Sequence, residues 1–243
     1  MDVDMFKIFC ITNRKLCKDD FVQTIERVVS EDKSLKVIEK ALGKEISLDK
    51  NELLVSSNMK LTDEDGLKES TFENISEGMT NSNLPKPDML ILREKDLSEE
   101  EYYELAKKIK PMCEEAGVEL VIHTHINIAK SLGIKSIHLP LDKMIMLTEG
   151  DKQLFDNIGT SVHSLEDLKK AISLGATYVL AGHIYDTDCK KGLPGRGLEF
   201  LQQICNNARV PVIAIGGMNA DRLKEVKAAG ASGAAIMSGY INK

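Results

Sequence analysis

The segment from residue 182 to residue 197, GHIYDTDCKKGLPGRG, holds the residue types best suited to chemistry on a small charged molecule. It follows the apolar run ATYVLAG and contains one histidine, His183, with two acids, two lysines, an arginine and four glycines. An apolar strand that ends in such a loop is a common setting for a site in α/β folds. Because a neutral imidazole can accept and donate a proton near neutral pH, we predict that His183 is a general acid/base. The alternative is a structural histidine bonded to its own loop.

Two basic residues end an earlier apolar run, DMLILRE. Arg93 and Lys95 are two positions apart, so in a strand they share a face with Ile91. Facing inward, they would bind a phosphate or carboxylate, Arg93 through its planar guanidinium. Facing outward, they would be solvated surface charges. Because Leu92 and Glu94 alternate with Ile91, Arg93 and Lys95 and would share the other face, we favour the inward orientation.

Other histidines also follow apolar runs. His123 and His125 share a face, but no cysteine, third histidine or carboxylate lies at a spacing that supports zinc. We therefore favour substrate contact or packing for this pair. His138 and His163 end further strands; for His138 we expect a packing role. We predict no metal site. The candidate substrate-binding residues are Arg93, Lys95, Ser161, His163, Thr187 and Lys190.

The last two apolar runs end in IGGMNADRL and IMSG. In barrels of alternating strands and helices, the loops after strands seven and eight commonly hold phosphate through backbone N–H groups. The alternative for the glycine pair is a tight strand-to-helix turn. The candidate phosphate-binding residues are Gly216, Gly217, Met237, Ser238 and Gly239.

The elements that must position these residues repeat a junction of helix end, glycine and apolar strand, at Gly117, Gly133, Gly175 and Gly230. Such a glycine supplies a left-handed C-cap. Eight apolar runs alternate with helix-compatible sequence, which predicts a parallel sheet and, from the count, a (β/α)8 TIM barrel. A doubly wound open sheet is the alternative. We predict one barrel domain over residues 1–243, an insertion at 31–87 after the first helix, and a missing or very short eighth helix.

Composition limits the function classes. The net charge of −6 gives no reason to expect nucleic acid or an anionic membrane as partner, and no apolar run is long enough to span a bilayer. The start, MDVDMFKIFC, is unlike a secretory signal. Five cysteines without CxxC spacing indicate a reduced, cytoplasmic protein, with Cys10, Cys113 and Cys205 as core thiols. A homo-oligomer is possible.

Taken together, the motifs CITNRKLC, LREKDL, GTSVHSLEDLKKA, GHIYDTDCKKGLPGRGLEFL and VPVIAIGGMN resemble the thiamine-phosphate synthase/TenI superfamily. The resemblance covers residues 6–30 and 88–240. It implies one of two activities: a Mg²⁺-dependent synthase that joins a pyrimidine pyrophosphate to a thiazole phosphate, or a tautomerase that converts a carboxylated thiazole phosphate to its aromatic form.

The chain departs from the synthase pattern where the resemblance would require metal and pyrophosphate ligands. Ile91 stands where the synthase has glutamine, and His123-Thr124 stands where it has an Asn-Asp pair. The fourth-strand loop offers only Asp142, one position out of step. The loop GHIYDTDCKKGLP, in contrast, is similar to that of the tautomerase and implies that His183 is the general acid/base. We therefore expect a thiazole tautomerase that binds a phosphorylated thiazole without a cofactor. The alternatives are a synthase, with Mg²⁺, and a non-catalytic thiazole-phosphate binder.

Overall fold

The computed structural model describes residues 6–30 and 84–242. Eight parallel strands form a closed barrel in sequence order, and β8 pairs with β1. This arrangement confirms the predicted TIM barrel and excludes the alternative, a doubly wound open sheet. The strands are β1 Lys7–Ile11, β2 Met89–Leu92, β3 Glu119–His123, β4 Ser136–Leu139, β5 Asn157–Val162, β6 Tyr178–Gly182, β7 Val212–Ile215 and β8 Gly233–Ile236.

Eight α-helices are described between and after these strands. Ser98 caps the second helix through a capping box with Glu101, and Gly117 ends it in the left-handed conformation. The left-handed C-cap at Gly117 is therefore confirmed. The helices are α1 Phe21–Ser30, α2 Glu99–Ala116, α3 Ile126–Ser131, α4 Glu149–Lys152, α5 Leu165–Ser173, α6 Gly197–Asn207, α7 Leu223–Ala228 and α8 Ser238–Ile241.

The apolar side chains form two cores, one inside the barrel and one between the sheet and the helices. Alternate residues of a strand point to opposite faces, so Ile91 of β2 lies inside while Leu90 and Leu92 face the helices. The inner core is filled by large side chains and leaves the strand ends as the place for a site. Its buried members are Phe9, Ile11, Met89, Ile91, Val121, Tyr178, Leu180, Ile213 and Ala235.

The helix after β8 is four residues long, as the sequence predicts, and it is well buried. Tyr240 is 3% exposed and donates a hydrogen bond to the carbonyl of Pro85 (2.6 Å), while Ile241 is fully buried. The residues just before β2 are therefore packed against the barrel. Most of the predicted insertion at 31–87 lies outside the described residues.

Two further predictions concern cysteines and membranes. Burial raises the pKa of Cys113 to about 12 and that of Cys205 to about 11, in agreement with inert thiols. Cys10 is also buried, with a raised pKa. In the part of the chain that the structure describes, no helix is long and apolar enough to cross a membrane.

Candidate active site

His183 follows β6 at the carboxyl end of the barrel, where strand ends face the mouth, and it is 6% exposed. Its Nε2 lies 3.2 Å from the carbonyl oxygen of Leu193, ten residues further along the same loop. Its Nδ1 is buried and has no hydrogen-bond partner among the described residues. Since a carbonyl only accepts, Nε2 carries a proton, and in the neutral form of the ring Nδ1 keeps a free lone pair. An unpaired buried nitrogen costs about 1–3 kcal/mol and often marks a functional position.

The acids near His183 in sequence do not pair with its ring. Asp186 instead accepts a hydrogen bond from the amide of Gly195 (2.6 Å), which closes the loop on itself, and Asp188 is exposed. The carbonyl of His183 accepts from the amide of Arg196 (2.9 Å). The loop therefore folds back over the start of α6 and fixes the backbone that carries the imidazole.

The Gly216–Gly217 turn after β7 packs directly against the His183 loop. Both glycines have positive φ values, 98° and 65°. A Cβ on Gly216 would overlap the Cβ of His183, and one on Gly217 would lie 2.7 Å from the carbonyl oxygen of Asp186. The amide of Tyr185 donates to the carbonyl of Gly216 (3.1 Å). The glycines thus allow the close approach of two loops, which the tight-turn interpretation did not include.

A side-chain brace, formed by Tyr185, Arg222 and Glu225, joins the same two loops. The Tyr185 hydroxyl donates to Glu225 (2.6 Å), and the Arg222 guanidinium lies 4.2 Å from the centre of the Tyr185 ring. Arg222 also donates to the carbonyl of Gly217. This brace could not be predicted from local patterns, because the three residues come from two different strand–helix units.

Arg93 and Lys95 differ in their exposure. Arg93 is half-buried directly after β2, where Ile91 points into the barrel, and its positive charge lowers the pKa of His123 and His138. Lys95 is exposed, and the charge of Arg93 lowers its pKa. The charges of both residues lower the pKa of His123, so Arg93 and Lys95 both lie on this side of the mouth. Their inward orientation stays a prediction.

A buried carboxylate between these residues was also missed. Glu94 is 3% exposed, accepts from the hydroxyl of Thr12 (2.6 Å), and accepts from the amide of Arg14 (3.1 and 3.0 Å). Burial raises its pKa. Because the Thr12 hydroxyl oxygen in turn accepts from the amide of Arg93 (2.9 Å), Glu94 fixes the backbone at the base of the guanidinium. Its side-chain contacts are structural.

His123 and His138 stack face to face inside the mouth, with ring centres 5.8 Å apart. Desolvation lowers the pKa of His123 to about 2 and that of His138 to about 3, and the charge of Arg93 adds to both effects. Both rings are therefore neutral near neutral pH. His138 has both ring nitrogens within hydrogen-bond distance of hydroxyls, which agrees with a packed role.

His125, which shares a predicted face with His123, does not join that stack. It lies outside β3, beside the Tyr102 ring (4.3 Å) and 3.8 Å from Glu99. The predicted pair is thus divided between the mouth and the helix layer.

The remaining predicted substrate-binding residues lie at the ends of β5 and β6. Ser161 is partly exposed and contacts His138 (3.1 Å). His163 has a lowered pKa, chiefly through desolvation and then through the charges of Lys190 and Arg196, and His183 adds a smaller effect. Lys190 therefore lies on the same side of the mouth as both histidines. Thr187 caps the short 3-10 turn that carries Lys190.

The predicted phosphate-binding residues after β8 lie beside the β7 turn, because β7 and β8 are paired. Met237 packs against the inner core, Ser238 is exposed, and Gly239 is half-buried. The fold thus brings Gly216, Gly217 and the Met237–Gly239 segment to adjacent strand ends.

Comparison with known proteins agrees with this arrangement. The family model described as thiamine monophosphate synthase matches residues 61–240. A thiamine-phosphate synthase of Clostridium acetobutylicum is 33% identical over 195 residues, which is 78% of this chain and 87% of that protein. A thiamine-phosphate synthase of Pyrococcus horikoshii is 34% identical over 149 residues, or 60% of this chain and 71% of that protein.

The fold comparison extends over almost the whole chain. The structure of a thiamine phosphate pyrophosphorylase from Pyrococcus furiosus aligns with a TM-score of 0.64, covering 99% of this chain and 90% of that one. At 21% identity, this likeness concerns the fold. Together with the family match and the C. acetobutylicum relative, the motifs and barrel show that the chain belongs to the thiamine monophosphate synthase (TMP-TENI) family.

Proposed function

We propose that this protein is a thiazole tautomerase of thiamine biosynthesis, which converts a carboxylated thiazole phosphate to its aromatic tautomer. The observation that carries the proposal is the state of His183. Its imidazole is buried at the mouth, Nε2 is committed to the carbonyl of Leu193, and Nδ1 has a lone pair without a partner in the described structure. That arrangement supplies a base without requiring a metal or a second titrating residue.

The reaction needs one proton to leave a ring carbon and one proton to reach the exocyclic alkene carbon. The imidazole of His183 takes the first proton, and the resulting imidazolium then delivers a proton to the exocyclic carbon. The electron pair of the broken C–H bond moves into the ring system, so the product is aromatic and no redox partner is needed. Since aromatisation favours the product, general acid–base catalysis of the usual size is sufficient.

The charged residues around the mouth suit a substrate with two anionic groups. Arg93 and Lys95 lie on the β2 side, and Lys190 lies on the β6 side near His183 and His163. We assign the phosphate to the Gly216–Gly217 turn and the Met237–Gly239 segment, because the loops after strands seven and eight of such barrels commonly hold phosphate through backbone N–H groups. The carboxylate then faces Arg93, whose planar guanidinium matches it.

The names of the relatives favour the second candidate, a thiamine-phosphate synthase. The family resemblance implies Mg²⁺ for that reaction, and Mg²⁺ prefers carboxylate and other oxygen ligands. Here β3 ends in His123, and Asp142 after β4 is exposed on the rim. The donor set therefore does not fit the synthase's metal, which supports the isomerase.

The test is to incubate the purified protein with the non-aromatic carboxythiazole phosphate and to follow the aromatic product by absorbance. We expect acceleration over buffer that does not change when a metal chelator is present. No acceleration would contradict the tautomerase. Formation of thiamine phosphate from the pyrimidine pyrophosphate and thiazole phosphate, abolished by the chelator, would establish the synthase instead. Tight product binding without either reaction would indicate a non-catalytic binder.

A further inference from the structure

Three side chains from neighbouring strands form a hydrogen-bonded line inside the barrel. The hydroxyl of Tyr178 on β6 lies 3.2 Å from Nδ1 of His138 on β4, and Nε2 of His138 lies 3.1 Å from the hydroxyl of Ser161 on β5. Tyr178 is fully buried, His138 is 3% exposed, and Ser161 is partly exposed at the mouth. The line therefore runs from the barrel interior to the site. We call it the Tyr178–His138–Ser161 line.

The direction of the first hydrogen bond follows from Tyr178. A buried hydroxyl proton needs an acceptor, and Nδ1 of His138 is the one partner of this hydroxyl within the described residues. Burial raises the pKa of Tyr178, so the phenol keeps its proton. Its ring cannot turn away, because it lies across Gly159 and packs on Phe9 at a centre distance of 5.5 Å. Tyr178 thus donates, and Nδ1 of His138 accepts.

The second hydrogen bond follows from the first. An imidazole that accepts at Nδ1 and is neutral must carry its proton on Nε2. Desolvation and the nearby charge of Arg93 keep His138 neutral. Nε2–H therefore donates to the oxygen of Ser161, so the Ser161 proton points elsewhere. Since Ser161 is at the mouth and partly exposed, a ligand acceptor is the group available to take it.

We propose that Tyr178 and His138 are positioning residues that fix the Ser161 hydroxyl as a donor toward the carboxylate of the substrate. The proposal rests on the proposed function for the identity of the ligand. Its chemical logic is that a hydroxyl whose oxygen already accepts from Nε2–H presents its own proton to the ligand. The Ser161 hydroxyl and the Arg93 guanidinium both donate hydrogen bonds, and an anionic oxygen is the acceptor that these two donors recognise best.

The tautomer of His138 is measured directly by 15N NMR, because ring nitrogens with and without a proton differ strongly in chemical shift. In the ligand-free wild-type protein we expect the proton on Nε2. Ser161→Ala should keep that tautomer, since Tyr178 still donates to Nδ1. Tyr178→Phe should release it and produce a population with the proton on Nδ1. A wild-type proton on Nδ1, or an unchanged tautomer in Tyr178→Phe, would overturn the proposal.

Binding of two matched ligands tests the function of the line. We expect Ser161→Ala and Tyr178→Phe each to weaken binding of the aromatic carboxythiazole phosphate by about tenfold, the usual size for a hydrogen bond to a charged group. Binding of the thiazole phosphate without the carboxylate should stay within about twofold of wild type. The double variant should lose little more than Ser161→Ala alone, since both changes remove one interaction. Equal losses for both ligands would overturn the proposal.

Tyr240→Phe is the matched control, because it removes another buried phenol hydroxyl, bonded to Pro85 in the outer layer. It should change neither the His138 tautomer nor the affinity for either ligand. If the protein shows the expected tautomers and the selective loss of carboxylate binding but no turnover, the proposed function fails while the positioning role stands. If it turns over the substrate but the tautomer does not respond to Tyr178→Phe, the positioning role fails alone.

Discussion

Two sides of the barrel mouth differ in how their histidines are held. On the β3–β4 side, His123 and His138 are stacked, and both have pKa values far below the ordinary range. Nδ1 of His123 contacts the Thr124 hydroxyl (2.7 Å), and both nitrogens of His138 have partners. On the β6 side, His183 uses one nitrogen for the Leu193 carbonyl and leaves the other unpaired in the described structure.

In the proposed tautomerase, this difference would separate histidines that orient the substrate from the histidine that transfers the proton. The His138 ring, whose two nitrogens are both occupied by protein groups, cannot exchange a proton with a substrate without breaking those bonds. The His183 ring has one nitrogen that no protein group occupies in the described structure, which suits the proposed acid/base role. After the roles proposed for them, we call the β3–β4 side around Arg93 the orienting side and the β6 side around His183 the proton-transfer side.

The strongest test of this division is His183→Ala. We expect kcat for the tautomerisation to fall by about 10²–10⁴-fold, the usual contribution of a positioned acid/base, while product binding changes by only a few fold. Steady-state kinetics and product titration measure the two effects. The matched control is His125→Gln, which alters a histidine beside α2 and should leave kcat near wild type. Loss of binding together with turnover would make His183 a binding or structural residue and end the comparison.

Gly216→Ala tests whether the proton-transfer side depends on the close approach of its loops. The new Cβ would overlap that of His183, and the positive φ would add strain, so we expect about 2–5 kcal/mol of lost stability. Urea unfolding measures it. Gly192→Ala is the control, since Gly192 has φ 82° but no atom within 4 Å of an added Cβ, and should cost about 1 kcal/mol. Equal losses of stability in Gly216→Ala and Gly192→Ala would mean that backbone strain alone, without the overlap with His183, explains the effect at Gly216.

The orienting side should make the fold sensitive to acid. The pKa of His138 falls to about 3 in the folded protein, so the unfolded chain binds more protons between about pH 6.5 and pH 3. The stability that depends on a neutral His138 is fully present above about pH 6.5. As the pH falls below that value, the free energy of unfolding decreases by up to about 1.4 kcal/mol per pH unit. Urea unfolding at several pH values measures the slope. His138→Gln should reduce that slope, and an unchanged slope would contradict a buried neutral imidazole.

The smallest expected effect concerns the electrostatics of the proton-transfer side. After desolvation, the charge of Lys190 is the next largest cause of the lowered pKa of His163. Removing that charge stabilises the imidazolium, so Lys190→Gln should raise the pKa of His163 by a fraction of a unit. An NMR titration measures this change. Lys191→Gln is the neighbouring control and should shift it less. A larger pKa shift of His163 in Lys191→Gln than in Lys190→Gln would mean that Lys191, and not Lys190, lies near His163 at the mouth.

The sequence predicted the barrel well because its signals are local. Eight apolar runs, the capping box at Ser98 and the left-handed glycine at Gly117 each depend on neighbours a few residues away. The inward orientation of Arg93 and Lys95 stays a prediction, since β2 ends at Leu92 and both residues lie beyond the strand whose alternation was used. Glu94 was regarded only as a spacer between two basic residues, although it is a buried carboxylate bonded to Thr12.

The sequence by itself determined which residues stand at the strand ends, because residues only a few positions apart specify strand, loop and helix. It therefore identified His183 as a candidate base and Ser161 as a candidate ligand contact. Only the tertiary structure decided what each can do. The partners of a hydroxyl or a ring nitrogen come from other strands: Tyr178 and Ser161 for His138, and Gly216 against His183. Barrel closure sets those contacts, and they determine that both ring nitrogens of His138 have protein partners whereas Nδ1 of His183 has none in the described structure.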